Sequence, residues 1–150
     1  MASSPTMKSA LEYNEKKVSN GEAQVIHTAN VDPDLDGFLE TIKRYERRNF
    51  SSKELSFHMS VNPSQTDGLS EEKVKELVAD IMEGLGFANQ PYAVYRHDDI
   101  ERRHYHVVSI RTDSNGRKIP SRQENRRCLL IQETLSMKYG FIVGCTTNEQ

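Results

Sequence analysis

No stretch of the chain approaches the ~20 consecutive apolar residues that a membrane-spanning helix requires. The opening residues, MASSPTMKSA, lack the apolar core of a secretory signal. Both absences point to a cytoplasmic protein with no membrane partner. Cysteine is scarce too. Cys128 falls within an apolar helical pattern and Cys145 lies near the C-terminus, with neither close pairing nor metal-type spacing. Two unpaired thiols in a reducing compartment are therefore expected. There is no Cys-x-x-Cys pair and no His-Glu-x-x-His sequence, which argues against structural zinc and the metalloprotease class. Internal repeats and low-complexity segments are also missing. A length of 150 residues with 35% hydrophobic content suits one domain with an ordinary core, spanning residues 1–150.

A basic excess is missing as well, since the net charge is -2, and this counts against a nucleic-acid partner. The charge is unevenly placed, however. From Arg96 to Arg127 nine basic residues stand against five acidic ones, so this segment is four positive and the remainder about six negative.

Hydrophobic periodicity divides the chain into alternating elements. Leu11 and Val18 among Lys, Glu and Asn suit a short amphipathic helix from Met7 to Val18, ended by Ser19-Asn20-Gly21. AQVIHT, from Ala23 to Thr28, reads as a strand, and Asp32-Pro33-Asp34 announces a helix from about Asp34 to Arg48. In Glu54 to Asn62 the residues Leu55, Phe57, Met59 and Val61 alternate with polar ones. That is a half-buried strand stopped at Pro63, with His58 pointing away from the apolar face. Ser70 and the acidic residues after it start a helix carrying Val74, Leu77, Val78, Ile81, Met82 and Leu85, closed by Gly84 and Gly86. Tyr92 to Arg96 and Tyr105 to Thr112 read as strands, with Ser114-Asn115-Gly116 as a turn. Leu129, Leu130, Thr134, Leu135 and Met137 support a last helix from about Arg122 to Tyr139, stopped at Gly140. FIVGCTTNEQ then reads as either a further strand or a fraying tail.

The connector between the strands at Tyr92 and Tyr105 is too short for a helical crossover, so the two pair as antiparallel neighbours. The expected fold class is α+β, a mainly antiparallel central sheet with helices packed on its face or faces.

The densest chemistry lies at that connector. His97, Asp99, His104 and His106 place three of the five histidines within ten residues, at the ends of the two paired strands. His104 and His106 are two apart on a strand and project from one face. A hairpin brings His97 beside them, giving three neutral nitrogen donors with coordination positions left open, as a catalytic metal requires. Asp99 suits an outer-shell acceptor that orients a histidine, with Asp98 as the alternative. A Lewis acid polarising a phosphodiester is the natural use of such an ion. Arg126 and Arg127, at the start of the last helix, have the guanidinium geometry to grip phosphate oxygens.

Several motifs in order, YNEKKVSNGEAQVI, FHMSVNP, LGFANQPYAVYRHDDIERRHYHVVSIR and ENRR, make the chain resemble the mobilisation relaxases, in particular Bacteroides-type mobilisation proteins, nearly end to end. The resemblance implies an HUH-endonuclease fold and a DNA-nicking transesterase. Such an enzyme binds hairpin and single-stranded DNA at an origin of transfer and links the cleaved 5′ phosphate to a tyrosine. It further implies His97, His104 and His106 as ligands of Mg2+ or Mn2+, and Tyr13, within Leu11-Glu12-Tyr13, as nucleophile. Ser51 matches a serine that contacts DNA near the scissile phosphate, with Ser52 an equal register. Accessory mobilisation proteins and a coupling protein are the implied partners, and the chain is expected to be the N-terminal catalytic part of a longer relaxase. The seven-residue step from His97 to His104 is one longer than in some relatives, which moves Asp99 without changing the ligand set. A rolling-circle replication initiator shares the same histidine and tyrosine chemistry, and a non-catalytic origin-DNA-binding remnant would share the fold.

Overall fold

The computed structural model describes residues 15–49, 55–64, 69–98 and 103–148. After helical residues 15–19 come β1 (Ala23–Ala29), α1 (Gly37–Glu46), β2 (Ser56–Pro63), α2 (Glu71–Leu85), β3 (Tyr92–His97), β4 (His104–Ile110), α3 (Glu124–Tyr139) and β5 (Val143–Thr147). The strands form one sheet in the order β1-β3-β4-β2-β5. Every pairing is antiparallel. The α+β expectation is met, and the C-terminal residues resolve into an edge strand. No helix among the described residues is long and apolar enough to cross a membrane.

Strand periodicity sorts the side chains between two faces. Phe57, Met59 and Val61 of β2 share one face with Tyr92 and Val94 of β3 and Tyr105 and Val107 of β4, and α2 and α3 cover it. α2 carries the burial the sequence predicts: Val74, Leu77, Val78, Ile81, Met82 and Leu85 are all inside, each contributing about 1.5–3 kcal/mol. Ser70 caps it by accepting from the Lys73 backbone N–H at 3.1 Å. The helix runs through Gly84 and stops at Gly86, whose φ of +88° closes it. Gly84 has a packing role instead, because a Cβ there would meet Ile131 Cδ1 of α3 at 2.7 Å.

Among the described residues, the opposite face is covered only in part. Ile42 of α1 packs with Ala93 and Tyr95 of β3 and Val108 and Ile110 of β4, with Phe38 and Tyr45 alongside. The helix starts at Gly37 rather than Asp34, since Asp32 first folds back to accept the Asp34 N–H at 2.9 Å. α3 also departs from expectation. It buries Glu124, Cys128 and Leu135, while Leu129, Leu130 and Met137 are 61%, 60% and 88% exposed, so of the apolar residues that signalled the helix only Leu135 lies on its packed side. Cys128 and Cys145 are both buried, free thiols, as expected.

At the C-terminal end of β4 lies a fully buried ion pair. Arg111 donates to both carboxylate oxygens of Glu124, at 2.8 and 2.9 Å, to the Ser56 carbonyl at 3.1 Å and to Asn148 Oδ1 at 3.1 Å. Removing one partner of such a pair leaves an uncompensated charge in the core. Glu124→Ala should therefore cost about 3–5 kcal/mol of unfolding free energy in urea titrations, whereas Arg111→Met combined with Glu124→Leu should recover most of that loss.

Candidate metal centre

The face of the sheet on which α1 packs is also the one that bears the histidines. On β4 it carries His104, His106, Val108 and Ile110 in turn, and α1 covers only the last two. Register supplies the rest: His97 of β3 is the cross-strand partner of His104, and Tyr95 is the partner of His106. The ring centroids of His97 lie 5.0 Å from His104 and 4.1 Å from His106, and those of His104 and His106 lie 5.1 Å apart. One ligand atom from each imidazole falls within 4.8 Å of the others, and this is the one such group among the described residues. That spacing is close to the span that bonds of about 2.1 Å to a common ion allow.

The donor set fits a divalent cation on a second ground. His97 is fully buried, and His104 keeps a buried Nδ1 with no hydrogen-bond partner among the described residues. A buried imidazole nitrogen without a partner is costly unless a ligand satisfies it. Three nitrogen donors from one strand pair also leave part of a coordination sphere open to a substrate oxygen.

A fourth histidine joins the three. β2 lies on the other side of β4, and His58 points to the same face, with its Nε2 3.1 Å from His106 Nδ1. Burial pushes the His58 imidazole below its usual range, favouring the neutral ring. His27, on the edge strand β1, instead meets Tyr92 edge-on and takes no part.

The remaining predicted residues divide. Tyr13, Ser51, Ser52 and Asp99 lie outside the described residues. Asp98, the alternative outer-shell acceptor, does not turn to a histidine among the described residues. Its carboxylate accepts from Arg96 at 3.1 Å and Arg103 at 2.9 Å. Burial would raise this carboxyl, but the hydrogen bonds from Arg103 and Arg96 outweigh it and hold the group below the usual range. Arg126 and Arg127 open α3, which packs on the opposite face of the sheet beside the far end of β4, so the structure does not bring them to the cluster. The Arg127 guanidinium donates to the Leu85 and Pro120 carbonyls, at 3.4 and 3.5 Å.

Sequence reasoning placed His58 on the correct face of its strand but not in the site. The missing information was the strand order, which sets β2 beside β4.

No curated protein and no solved structure matches the chain significantly. The family model for the relaxase nuclease domain, MobA/VirD2-like, matches residues 13–141, and the chain belongs to that family.

Proposed function

We propose that the chain is a metal-dependent, strand-specific DNA relaxase, which nicks one strand at an origin of transfer and holds the 5′ end on Tyr13 to start mobilisation. The observation that carries this reading is the convergence of His97, His104 and His106 on one face of the sheet, in a chain of the relaxase nuclease family. In this reading the three imidazoles hold Mg2+ or Mn2+, which when bound supplies Lewis-acid neutralisation of charge on the scissile phosphate.

A tether supports Tyr13 as nucleophile. Tyr95, the cross-strand partner of His106, donates its hydroxyl proton to a Glu15 carboxylate oxygen at 2.9 Å. Glu15 is two residues from Tyr13, so covalent geometry keeps their Cα atoms within about 7 Å. Directly paired side chains on neighbouring strands start about 5 Å apart at Cβ, which makes the anchor a neighbour of the histidine cluster. A phenol, with pKa near 10 in its unperturbed state, ionises far more readily than a serine hydroxyl and is a good enough leaving group for the step to be reversed.

The chemistry is a transesterification. The Tyr13 oxygen bonds to phosphorus as it gives up its proton, the bond from phosphorus to the 3′ oxygen breaks, and that oxygen takes up a proton as a free hydroxyl. Attack by the same hydroxyl on the phosphotyrosyl bond reseals the strand. We assign Asp99 the orientation of a ligand imidazole, and Ser51 a contact to the strand near the scissile phosphate.

Calorimetric titration of the metal-free protein with Mn2+ tests the centre without knowledge of the DNA target. Stoichiometric binding of a single ion, abolished in His104→Ala, is the expected result, and a wild type that binds no Mn2+ would sink the metal-centre reading. With single-stranded fragments of the genetic element that encodes the chain, a covalent adduct that survives denaturation should form in the wild type and vanish in Tyr13→Phe. Undiminished adduct in the variant would reject the assigned nucleophile, and DNA binding with no adduct in the wild type would favour the non-catalytic reading.

A further inference from the structure

The contact between His58 and His106 lies beside the three candidate ligands without being one of them. Two imidazole nitrogens 3.1 Å apart share a single proton, so one ring donates and the other accepts. If His58 were the donor, His106 in its neutral form would carry its own proton on Nε2, and neither of its nitrogens would offer a free lone pair to an ion. If His106 is the donor, its Nε2 is bare.

We propose that His58 is a positioning residue for the metal centre: its Nε2 accepts the Nδ1–H of His106 and so fixes Nε2 as the nitrogen His106 turns toward the ion. The inference rests on the metal-centre reading above. Ligating histidines commonly donate their second N–H to a carboxylate or carbonyl, which sets both tautomer and ring orientation; in this chain a neutral imidazole on the neighbouring strand fills that place.

The support behind His58 is itself fixed. Its backbone N–H donates to Asn148 Oδ1 at 2.9 Å, and its carbonyl accepts the Asn148 N–H at 3.0 Å. Asn148 Nδ2 donates to the Ser56 carbonyl at 3.0 Å, and Asn148 Oδ1 also receives Arg111 Nη2. β2 is therefore clamped at the residue that faces the ligand. The ring of His106 lies between its two neighbours, with centroids 4.9 Å from His58 and 4.1 Å from His97.

Two measurements test this. Long-range proton–nitrogen correlation spectra of the wild type, with and without Mg2+, should show His106 protonated on Nδ1 and His58 with a bare Nε2; a proton on Nε2 of His106 overturns the inference. Calorimetry with Mn2+ then compares wild type, His58→Phe and His58→Gln. Phe keeps the bulk and removes the acceptor, so affinity should fall about 10–100-fold, while the Gln amide oxygen restores an acceptor and should bring affinity back to within a few-fold of wild type. Equal affinity in wild type and His58→Phe, or a Gln variant as weak as Phe, rejects the positioning role and leaves the metal centre standing. A wild type that binds no Mn2+ rejects both. Should His58→Phe fail to fold, the spectra and the Gln variant still decide.

Discussion

A guanidinium taken wholly out of water must have its charge balanced and its donors met, and Arg111 imposes that demand on three other parts of the chain at once. Glu124, the first residue of α3, supplies the counter-charge, β2 supplies the Ser56 carbonyl, and the residue just past β5 supplies the Asn148 side chain. Thr147 adds its hydroxyl to the same carboxylate at 2.6 Å. These partners meet only if β2, β4, β5 and the start of α3 keep one relative position. The pair is poor at adding net stability, because the cost of desolvating both ions offsets most of their attraction; what it does well is exclude other arrangements, which would strand a charge. Through Asn148 the constraint reaches His58, and through His58 it touches the histidine cluster.

The second constraint is the register of β3 against β4. Side chains alternate, so a slip of one residue would turn His104 and His106 into the core under α2 and send Tyr105 and Val107 to the open face. The cost of burying two imidazoles and exposing two large apolar groups locks the register. The same alternation explains why one face serves two purposes. Toward the C-terminal end of β4, Val108 and Ile110 are covered by α1, and toward the N-terminal end the same face turns to histidines. Apolar and polar halves of one strand face thus decide where the helix sits and where the site is exposed.

This division also accounts for what could be read from the sequence. The β3–β4 hairpin was legible because its connector is too short for anything else, and the triad followed, since His104 and His106 are two apart and His97 stands at the facing strand end. α2 was legible in every buried position because its apolar residues recur at helical spacing and it packs on one side. α3 was legible as a helix but not in its orientation: Glu124 and Cys128 define its inner face with Leu135, and a buried glutamate is not an apolar signal until Arg111 is known to lie opposite. His58 and Asp98 needed tertiary information. Strand order brought the first to the site, and the competing arginines at positions 96 and 103 drew the second away from it.

The charge pattern, too, changes meaning once partners are known. The segment from Arg96 to Arg127 is four positive on paper, yet Arg111 is neutralised by Glu124, Arg96 by Glu71 and Asp98, and Arg103 by Asp98. Among the described residues, the basic side chains nearest the cluster in sequence are therefore committed within the protein. In the reading proposed above, the cation that the histidines hold would bring positive charge to the scissile phosphate. A net charge of -2 is then compatible with a phosphodiester substrate at this point, because a bound cation would concentrate the attraction in one place. In the same reading, a partner that holds a histidine ring in the ligating tautomer, the role proposed for His58, bears directly on how firmly that charge is held.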